Sequence, residues 1–153
     1  MASRRQFEKT TIGSQEESAF LELLRTCDRL SRRLASVLKR ADLSPTQYNV
    51  LRILRGAGAD GLPTLEVADR MIEQTPGVTR LLDRLEAKQL VRRQRCPKDR
   101  RQHLCWITPK GLALLRKLDA PGLKTADDAF RGLRTKEREA FIRLLDAIRA
   151  AHE

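Results

Sequence analysis

Aromatic residues make up only 4% of this 153-residue chain, which argues against a surface on which the bases of single-stranded RNA would stack. No apolar run approaches the ~18 residues of a membrane-spanning helix, so the sequence predicts no membrane segment. The chain has two histidines, His103 and His152, and shows no Ser-His-Asp set, phosphate-binding glycine loop or paired carboxylates in an apolar context. The sequence therefore predicts no enzyme, no catalytic residue and no cofactor.

Cysteine is also scarce: the three cysteines, Cys27, Cys96 and Cys105, have no spacing that would predict a disulfide framework. In a cytoplasmic chain such thiols are expected to be reduced. Cys96, His103 and Cys105 fall on neighbouring predicted strands and could approach one another, but no fourth ligand accompanies them, so no metal site is predicted. Cys27 lies on an apolar helical stripe and is interpreted as a small core or interface residue, while a thiol-based redox sensor remains an alternative.

Basic residues outnumber acidic ones by 31 to 20, which gives a formal net charge of +11 and attracts polyanions. Charge alone leaves nucleic acid, membrane headgroups and acidic proteins open, and the scarcity of aromatic residues favours duplex DNA over RNA. Residues 3–9 (SRRQFEK) resemble a twin-arginine export signal, but residues 10–18 contain only one large apolar residue, Ile12. We therefore reject export and predict a flexible basic arm over residues 1–15 and a cytoplasmic protein.

Two predicted helices near the ends of the chain carry long apolar stripes. In the first, over residues 16–40, apolar residues recur at heptad spacing, and in the last, which begins at Thr135, they form a second stripe. The first stripe alone fits a monomer core as well as a dimer seam. Because the central region offers little surface to cover both stripes, we predict that they pair with those of a second copy. The predicted dimerisation residues are Phe20, Leu23, Cys27, Phe141, Leu144, Leu145 and Ile148.

Between these helices the sequence predicts a helix-turn-helix. Residues 44–47 (SPTQ) form a capping box that opens one helix, and the glycine-rich residues 56–61 end it. A short helix follows, with Thr64 as its cap. After a further break, Thr75 caps the next helix and Pro76 occupies its first position.

This last helix of the helix-turn-helix has two faces. Apolar residues recur at i, i+3, i+4 and i+7, which predicts that one face is buried. These residues are Val78, Leu81, Leu82 and Leu85. The residues left facing outward are Gly77, Thr79, Arg80, Asp83 and Arg84. A short helix with one exposed polar face is suited to probing the major groove of DNA.

Two strands are predicted next, over residues 90–96 and 103–107, around a tip rich in arginine. Across residues 92–101, one acid, Asp99, stands against a majority of basic residues. These basic residues are Arg92, Arg93, Arg95, Lys98, Arg100 and Arg101. A charged loop is usually only solvated, but its position beside a capped helix favours contact with DNA.

A further helix, capped by Thr108, is predicted from residue 109, and Pro121-Gly122 should kink or interrupt it. The order of elements predicts a mainly α fold with a small β-hairpin wing: a winged helix-turn-helix with N- and C-terminal dimerisation helices. In one compact chain, the predicted regions are a winged helix-turn-helix over residues 43–108 and dimerisation helices over residues 16–42 and 109–153.

Five motifs in this order resemble those of the MarR (multiple-antibiotic-resistance regulator) family of bacterial winged-helix transcription factors. They are residues 43–48 (LSPTQY), 78–86 (VTRLLDRLE), 90–93 (LVRR), 99–101 (DRR) and 107–111 (ITPKG). Each is a weak signal alone, but five at family spacing are specific. The sequence departs from the family pattern at Gln89, where the family commonly has glycine. A left-handed backbone there would cost a non-glycine residue about 1 kcal/mol. The turn over residues 72–74 also lacks the usual glycine.

The resemblance implies a homodimer that binds a pseudo-palindromic operator on double-stranded DNA, a repressor released by a small aromatic or phenolic effector. The sequence does not identify the pocket for that effector. The resemblance places residues 75–80 in the major groove and Arg101 in the minor groove, with Asp99 orienting the wing arginines. The DNA-binding residues so predicted are Thr75, Pro76, Gly77, Thr79, Arg80, Arg84, Lys98, Asp99, Arg100 and Arg101. A redox-sensing regulator on the same fold and a winged-helix protein-interaction module remain alternatives.

Overall fold

The computed structural model describes residues 13–74, 76–97, 99 and 101–152. Its elements are α1 (Gln15–Leu38), α2 (Pro45–Ala57), β1 (Leu62–Pro63), α3 (Thr64–Asp69), α4 (Val78–Ala87), β2 (Val91–Arg95), β3 (His103–Ile107), α5 (Pro109–Phe130) and α6 (Thr135–Ala150). This order confirms the predicted mainly α fold with a small wing. Most of the predicted basic arm lies outside the described residues. Within those residues, no helix combines the length and the apolar character needed to cross a lipid bilayer.

Hydrogen bonds at the predicted caps explain where two of the helices begin. The Ser44 hydroxyl accepts a bond from the Gln47 amide at 3.1 Å, and the Gln47 side-chain oxygen accepts one from the Ser44 amide at 3.1 Å. At the start of α5, the Thr108 hydroxyl accepts a bond from the Gly111 amide at 3.1 Å. Both predicted caps are confirmed, and each pairs amides that a helix start otherwise leaves without a partner.

Thr64 does not cap α3, so that prediction is wrong. It is the first residue of the helix, and its hydroxyl donates to the carbonyl oxygen of His103 at 3.3 Å. The reason is tertiary: the residues just before α3 form strand β1, which pairs with β3 and brings the Thr64 side chain against that strand.

The helix α5 runs continuously through Pro121, so Pro121-Gly122 does not interrupt it. A proline removes one backbone donor from a helix. Contacts hold α5 on both sides of the proline: Leu115 and Leu118 before it are buried in the core, and Asp128 after it pairs with Arg33 of α1 at 2.7 Å.

The sheet has three antiparallel strands in the order β1-β3-β2. The pairing of β2 with β3 runs from Val91 opposite Ile107 to Arg95 opposite His103, which confirms the predicted hairpin. The two-residue strand β1 was not predicted, because it is too short to show an alternating pattern. Its pairing of Leu62 with Cys105 attaches the helix-turn-helix to the base of the wing.

The core lies where α2, α4, α5 and the base of the sheet meet, with contributions from the end of α1 and from α3. Its most completely buried side chains are Leu38, Val50, Leu51, Leu54, Val67, Leu82, Leu85, Val91, Cys105 and Leu115. Since α4 and both long strands contribute to this core, the helix and the wing stand on one packed base.

Gln89, two residues after the end of α4, lies in the left-handed region with φ 60°, as the family resemblance predicted. The Gln89 amide donates to the carbonyl of Glu86 at 2.8 Å, and the Leu90 amide donates to that of Leu85 at 3.0 Å. These are the two hydrogen bonds of a Schellman motif, in which glycine is the preferred left-handed residue.

Replacing Gln89 with glycine should therefore raise the free energy of unfolding by about 1 kcal/mol, because relief of the left-handed strain exceeds the extra flexibility of glycine in the unfolded chain. Chemical denaturation measures the change. As a control, Ala87→Gly in the last turn of α4 should lower the stability by about 1 kcal/mol. A Gln89→Gly protein less stable than the wild type would contradict the assigned strain.

Candidate nucleic-acid interface

The start of α4 depends on Gly77. The helix begins at Val78, and Gly77 precedes it with φ 102° and ψ 28°, a left-handed conformation that glycine adopts without strain. Pro76 therefore does not occupy the first helical position, and that prediction is wrong. It lies in the turn that Gly77 closes. The predicted cap residue, Thr75, lies outside the described residues.

The two faces of α4 are as predicted. Val78, Leu82 and Leu85 are buried and Leu81 is half-buried. The outward residues are all exposed: Gly77, Thr79, Arg80, Asp83 and Arg84. The helix thus presents a polar face on a rigid support.

An open cleft of about 790 Å³ runs along this exposed face. Its lining includes five of the predicted DNA-binding residues: Pro76, Gly77, Thr79, Arg80 and Arg84. The opposite wall comes from Ser44 and Thr46 at the start of α2, which the sequence analysis treated only as helix-capping residues. The structure therefore places the predicted α4 residues together in one concave surface.

The turn before α4 is held by α2. The Ile72 amide donates to the side-chain oxygen of Asn49 at 3.0 Å. Residues 72–74, which lack the glycine usual at this turn, contain no left-handed residue. The left-handed position lies instead at Gly77, so the missing glycine leaves the turn intact.

The tip of the wing is organised by Asp99. Its carboxylate accepts a hydrogen bond from the Arg101 amide at 2.9 Å, and its carbonyl accepts one from the Gln102 amide at 3.0 Å. Asp99 thereby fixes the backbone that carries Arg101, whose side chain is exposed. Lys98 and Arg100 lie outside the described residues.

Arg101 and α4 border a second cleft, of about 510 Å³, between the wing and the start of α3. Thr79 lines both this cleft and the one along α4. The cleft along α4 and the cleft beside the wing tip are therefore neighbours that share Thr79.

The arginines of β2 do not form one uniform cationic surface. The guanidinium of Arg92 lies over the ring of Trp106, 4.2 Å from its centroid, and Arg95 is exposed. Arg93 instead forms ion pairs with Asp83 and Glu86 of α4. Burial opposes its charge, but the bonds to the two carboxylates outweigh that effect and raise the pKa of Arg93. In the sequence Arg93 was grouped with the other wing cations, because its carboxylate partners lie on a different element, α4.

The three cysteines do not form a site. Cys27 is exposed, Cys96 half-buried and Cys105 buried, and burial raises the pKa of the Cys105 thiol, which suppresses the reactive thiolate. Cys105 pairs with Arg93, whereas His103 pairs with Arg95 at the far end of β3. No cluster of His, Cys, Asp or Glu suited to a metal ion occurs within the part of the chain that the structure describes.

The predicted dimerisation residues lie on faces that the chain itself leaves open. Phe20, Leu144 and Ile148 are 61%, 63% and 50% exposed, and Cys27 is exposed as well. The remaining members are half-buried: Leu23, Phe141 and Leu145. One chain therefore leaves much of both terminal helix faces uncovered.

A further cavity of about 500 Å³ lies between α1, α2 and α5. From α2 it is lined by the buried Tyr48 and by Arg52 and Arg55. Arg55 pairs with Asp119 at 2.9 Å, whereas the guanidinium of Arg52 lies 5.7 Å from the centroid of the Tyr48 ring. Among the described residues, Arg52 forms no ion pair. The sequence signal for this site is the spacing i, i+4, i+7 of Tyr48, Arg52 and Arg55 on one face of α2, from which no site was predicted.

Comparisons with known proteins agree with this architecture. The model of the MarR family matches residues 43–103. The HTH-type transcriptional regulator MhqR of Bacillus subtilis (strain 168) is 26% identical over 129 residues, which cover 84% of this chain and 88% of MhqR. A crystal structure of a MarR transcription factor from Planctomyces limnophilus is 36% identical, with a TM-score of 0.69, covering 89% of this chain and 98% of that one.

A third relative is BpsR of Bordetella bronchiseptica, solved in a study of the regulation of its DNA binding by 6-hydroxynicotinic acid. It is 28% identical, with a TM-score of 0.76, and the match covers 86% of this chain and 98% of BpsR. From the family match, the shared winged-helix architecture and these identities, we conclude that the chain belongs to the MarR family, a family of transcriptional regulators rather than of enzymes.

Proposed function

We propose that the protein is a cytoplasmic, homodimeric, sequence-specific DNA-binding repressor, and that each winged helix binds one half of a pseudo-palindromic operator. The single observation that carries this proposal is the pair of adjoining clefts that share Thr79, one along α4 and one beside Arg101. An exposed polar helix face fits the major groove, and an arginine on a hairpin tip fits the adjacent minor groove. The study of BpsR concerns the regulation of its DNA binding, which supports the same function here.

The dimer is supported by the terminal helices. Large apolar residues stay exposed on both α1 and α6, and a second copy is the simplest surface to cover them. A twofold dimer also meets the geometric requirement of DNA, since two copies of α4 held about 34 Å apart would enter successive major grooves.

Selection of bound duplexes from a random pool tests the proposal. We expect a twofold-symmetric consensus, because two identical reading surfaces select two inverted half-sites. Recovery of sequences without a consensus would favour the alternative of a winged-helix protein-interaction module that uses its charge only for solubility.

We further propose that a small aromatic carboxylic acid or phenol binds the cavity between α1, α2 and α5. The ring of Tyr48 and the side chain of Leu123 would contact the aromatic part, and Arg52 would bind the anionic group. BpsR supports this ligand class, since 6-hydroxynicotinic acid is an aromatic carboxylic acid. Such a ligand releases DNA only if it binds better to the arrangement of the two winged helices that does not fit the operator.

Replacing Arg52 with alanine should raise the concentration of 6-hydroxynicotinic acid needed to release DNA by about tenfold or more, because a charged hydrogen bond worth roughly 1.5–3 kcal/mol is lost. A DNA-release titration by fluorescence anisotropy measures the shift. Arg116→Ala, which removes an exposed cation of α5 outside the cavity lining, is the matched control and should leave the titration unchanged. An unaltered response of the Arg52→Ala protein would remove the cavity from the mechanism.

A further inference from the structure

Arg93 differs from the other cations of the wing in where its side chain lies. Side chains alternate along a strand, so Arg93 shares a face of β2 with the buried Val91, and it is only 18% exposed. Arg92, on the opposite face, and Arg95, on the same face but at the end of β2, are both exposed. Arg93 also lines the cleft beside Arg101, but its guanidinium is paired with Asp83 and Glu86, which leaves it poorly placed to meet a phosphate.

The contacts of Arg93 with α4 are multiple and directional. One guanidinium nitrogen lies 2.7 Å from a carboxylate oxygen of Glu86, and Nε donates to the same oxygen at 3.1 Å. The second Glu86 oxygen accepts a bond from the Arg93 backbone amide at 3.1 Å. The guanidinium also donates to Asp83. Both the side chain and the backbone amide of Arg93 in β2 therefore bond to residues on one turn of α4.

We propose that Arg93 is a positioning residue that locks the wing to α4, so that the two DNA-reading elements meet the duplex as one rigid unit. This inference rests on the proposed DNA-binding function. Asp83 and Glu86 lie on the same helix as the exposed Thr79, Arg80 and Arg84, and β2 leads directly into the tip that carries Arg101. Arg93 thus joins the element assigned to the major groove with the element assigned to the minor groove.

Charge balance separates this role from that of a phosphate ligand. Two carboxylates already compensate the guanidinium of Arg93. Removing Arg93 should therefore not change the number of counterions that DNA releases when the protein binds. The slope of log affinity against log salt should then change by less than about half a unit, whereas removal of a phosphate contact changes it by about one unit. Lysine cannot reproduce the forked contact, because its ammonium is a single point charge.

The experiment uses the full-length protein and a duplex recovered in the random-pool selection. Arg93→Lys should weaken binding by roughly tenfold with an unchanged salt slope, a loss typical of broken coupling between sites. Glu86→Gln should weaken binding roughly threefold, although removing an acid would by simple electrostatics strengthen attraction to DNA. Arg149→Lys, which makes the same exchange in the ion pair of Arg149 with Asp146 on α6, is the matched control for Arg93→Lys and should bind as the wild type does.

A double-mutant cycle with Arg101 distinguishes positioning from a general loss of stability. Arg101→Ala should weaken binding about tenfold in the wild type but less than about threefold in the Arg93→Lys background. The reason is that a wing no longer fixed to α4 does not hold Arg101 at the minor groove. If Arg93→Ala fails to fold, the Lys variant carries the test, since it retains the charge and the aliphatic stem.

The two possible failures are distinct. Wild-type affinity of the Arg93→Lys protein, equal effects of Arg101→Ala in both backgrounds, or a salt slope shallower by about one unit in Arg93→Ala would overturn the positioning role alone. Failure of the wild type to bind any selected duplex would instead overturn the DNA-binding proposal and this inference with it.

Discussion

Replacing Leu144 with glutamate should leave the protein monomeric and weaken its binding to a twofold-symmetric duplex by at least ~100-fold. Leu144 is 63% exposed in one chain and shares its helix with the exposed Ile142 and Ile148. In the proposed dimer a glutamate there would be buried without a partner. The free-energy cost of burying an unpaired charge would favour dissociation into monomers. A monomer reads only one half-site and loses the gain from linked binding, which is typically ~10²–10⁴-fold.

Two measurements check this result: light scattering for the mass of the free protein, and fluorescence anisotropy for its affinity for DNA. Thr135→Glu provides the control, because it adds the same charge to α6 at an exposed polar position. It should remain dimeric. If the Leu144→Glu protein is dimeric as well, the partner surface lies elsewhere and the assignment of these helix faces is wrong.

Replacing Arg80 with alanine should weaken binding to the selected operator by about 2–6 kcal/mol, since each protomer loses an arginine contact to a base worth about 1–3 kcal/mol. Arg80 is exposed and lies in the cleft along α4, one residue from the Thr79 that borders both clefts. The loss should be concentrated on the selected sequence, with little effect on binding to random duplexes.

Competition between the selected duplex and a scrambled one measures this change in specificity. The control is Arg116→Ala, which removes the same charge from α5 and should affect neither duplex. A loss that is equal for both duplexes would show that Arg80 contacts only the phosphate backbone. No loss at all would exclude Arg80 as a base contact.

The sequence predicted best those features that local chemistry determines. The capping box of Ser44 and Gln47 requires only residues three positions apart, and the two faces of α4 follow from the helical period. The left-handed backbone at Gln89 was predicted by comparison with a family pattern. All three are present in the structure.

Features that depend on distant partners were missed or predicted wrongly. Thr64 bonds to His103, and only the pairing of β1 with β3 brings them together. Packing of α5 keeps it continuous through Pro121, against the local preference of proline. Alternation along β2 places both Arg93 and Arg95 on the face of the buried Val91, but Arg95 is exposed at the end of the strand, so alternation alone does not predict the burial of Arg93. Its carboxylate partners required the tertiary packing of the wing against α4.

The number of chains on one operator duplex tests the central claim most directly. Native mass spectrometry of the complex with the selected duplex should show two 17.5 kDa chains bound together, with little of the one-chain species. Scrambling one half-site should then remove both chains at concentrations that saturate the intact duplex. A stable complex of one chain per duplex, or stepwise filling that is insensitive to the second half-site, would contradict the account.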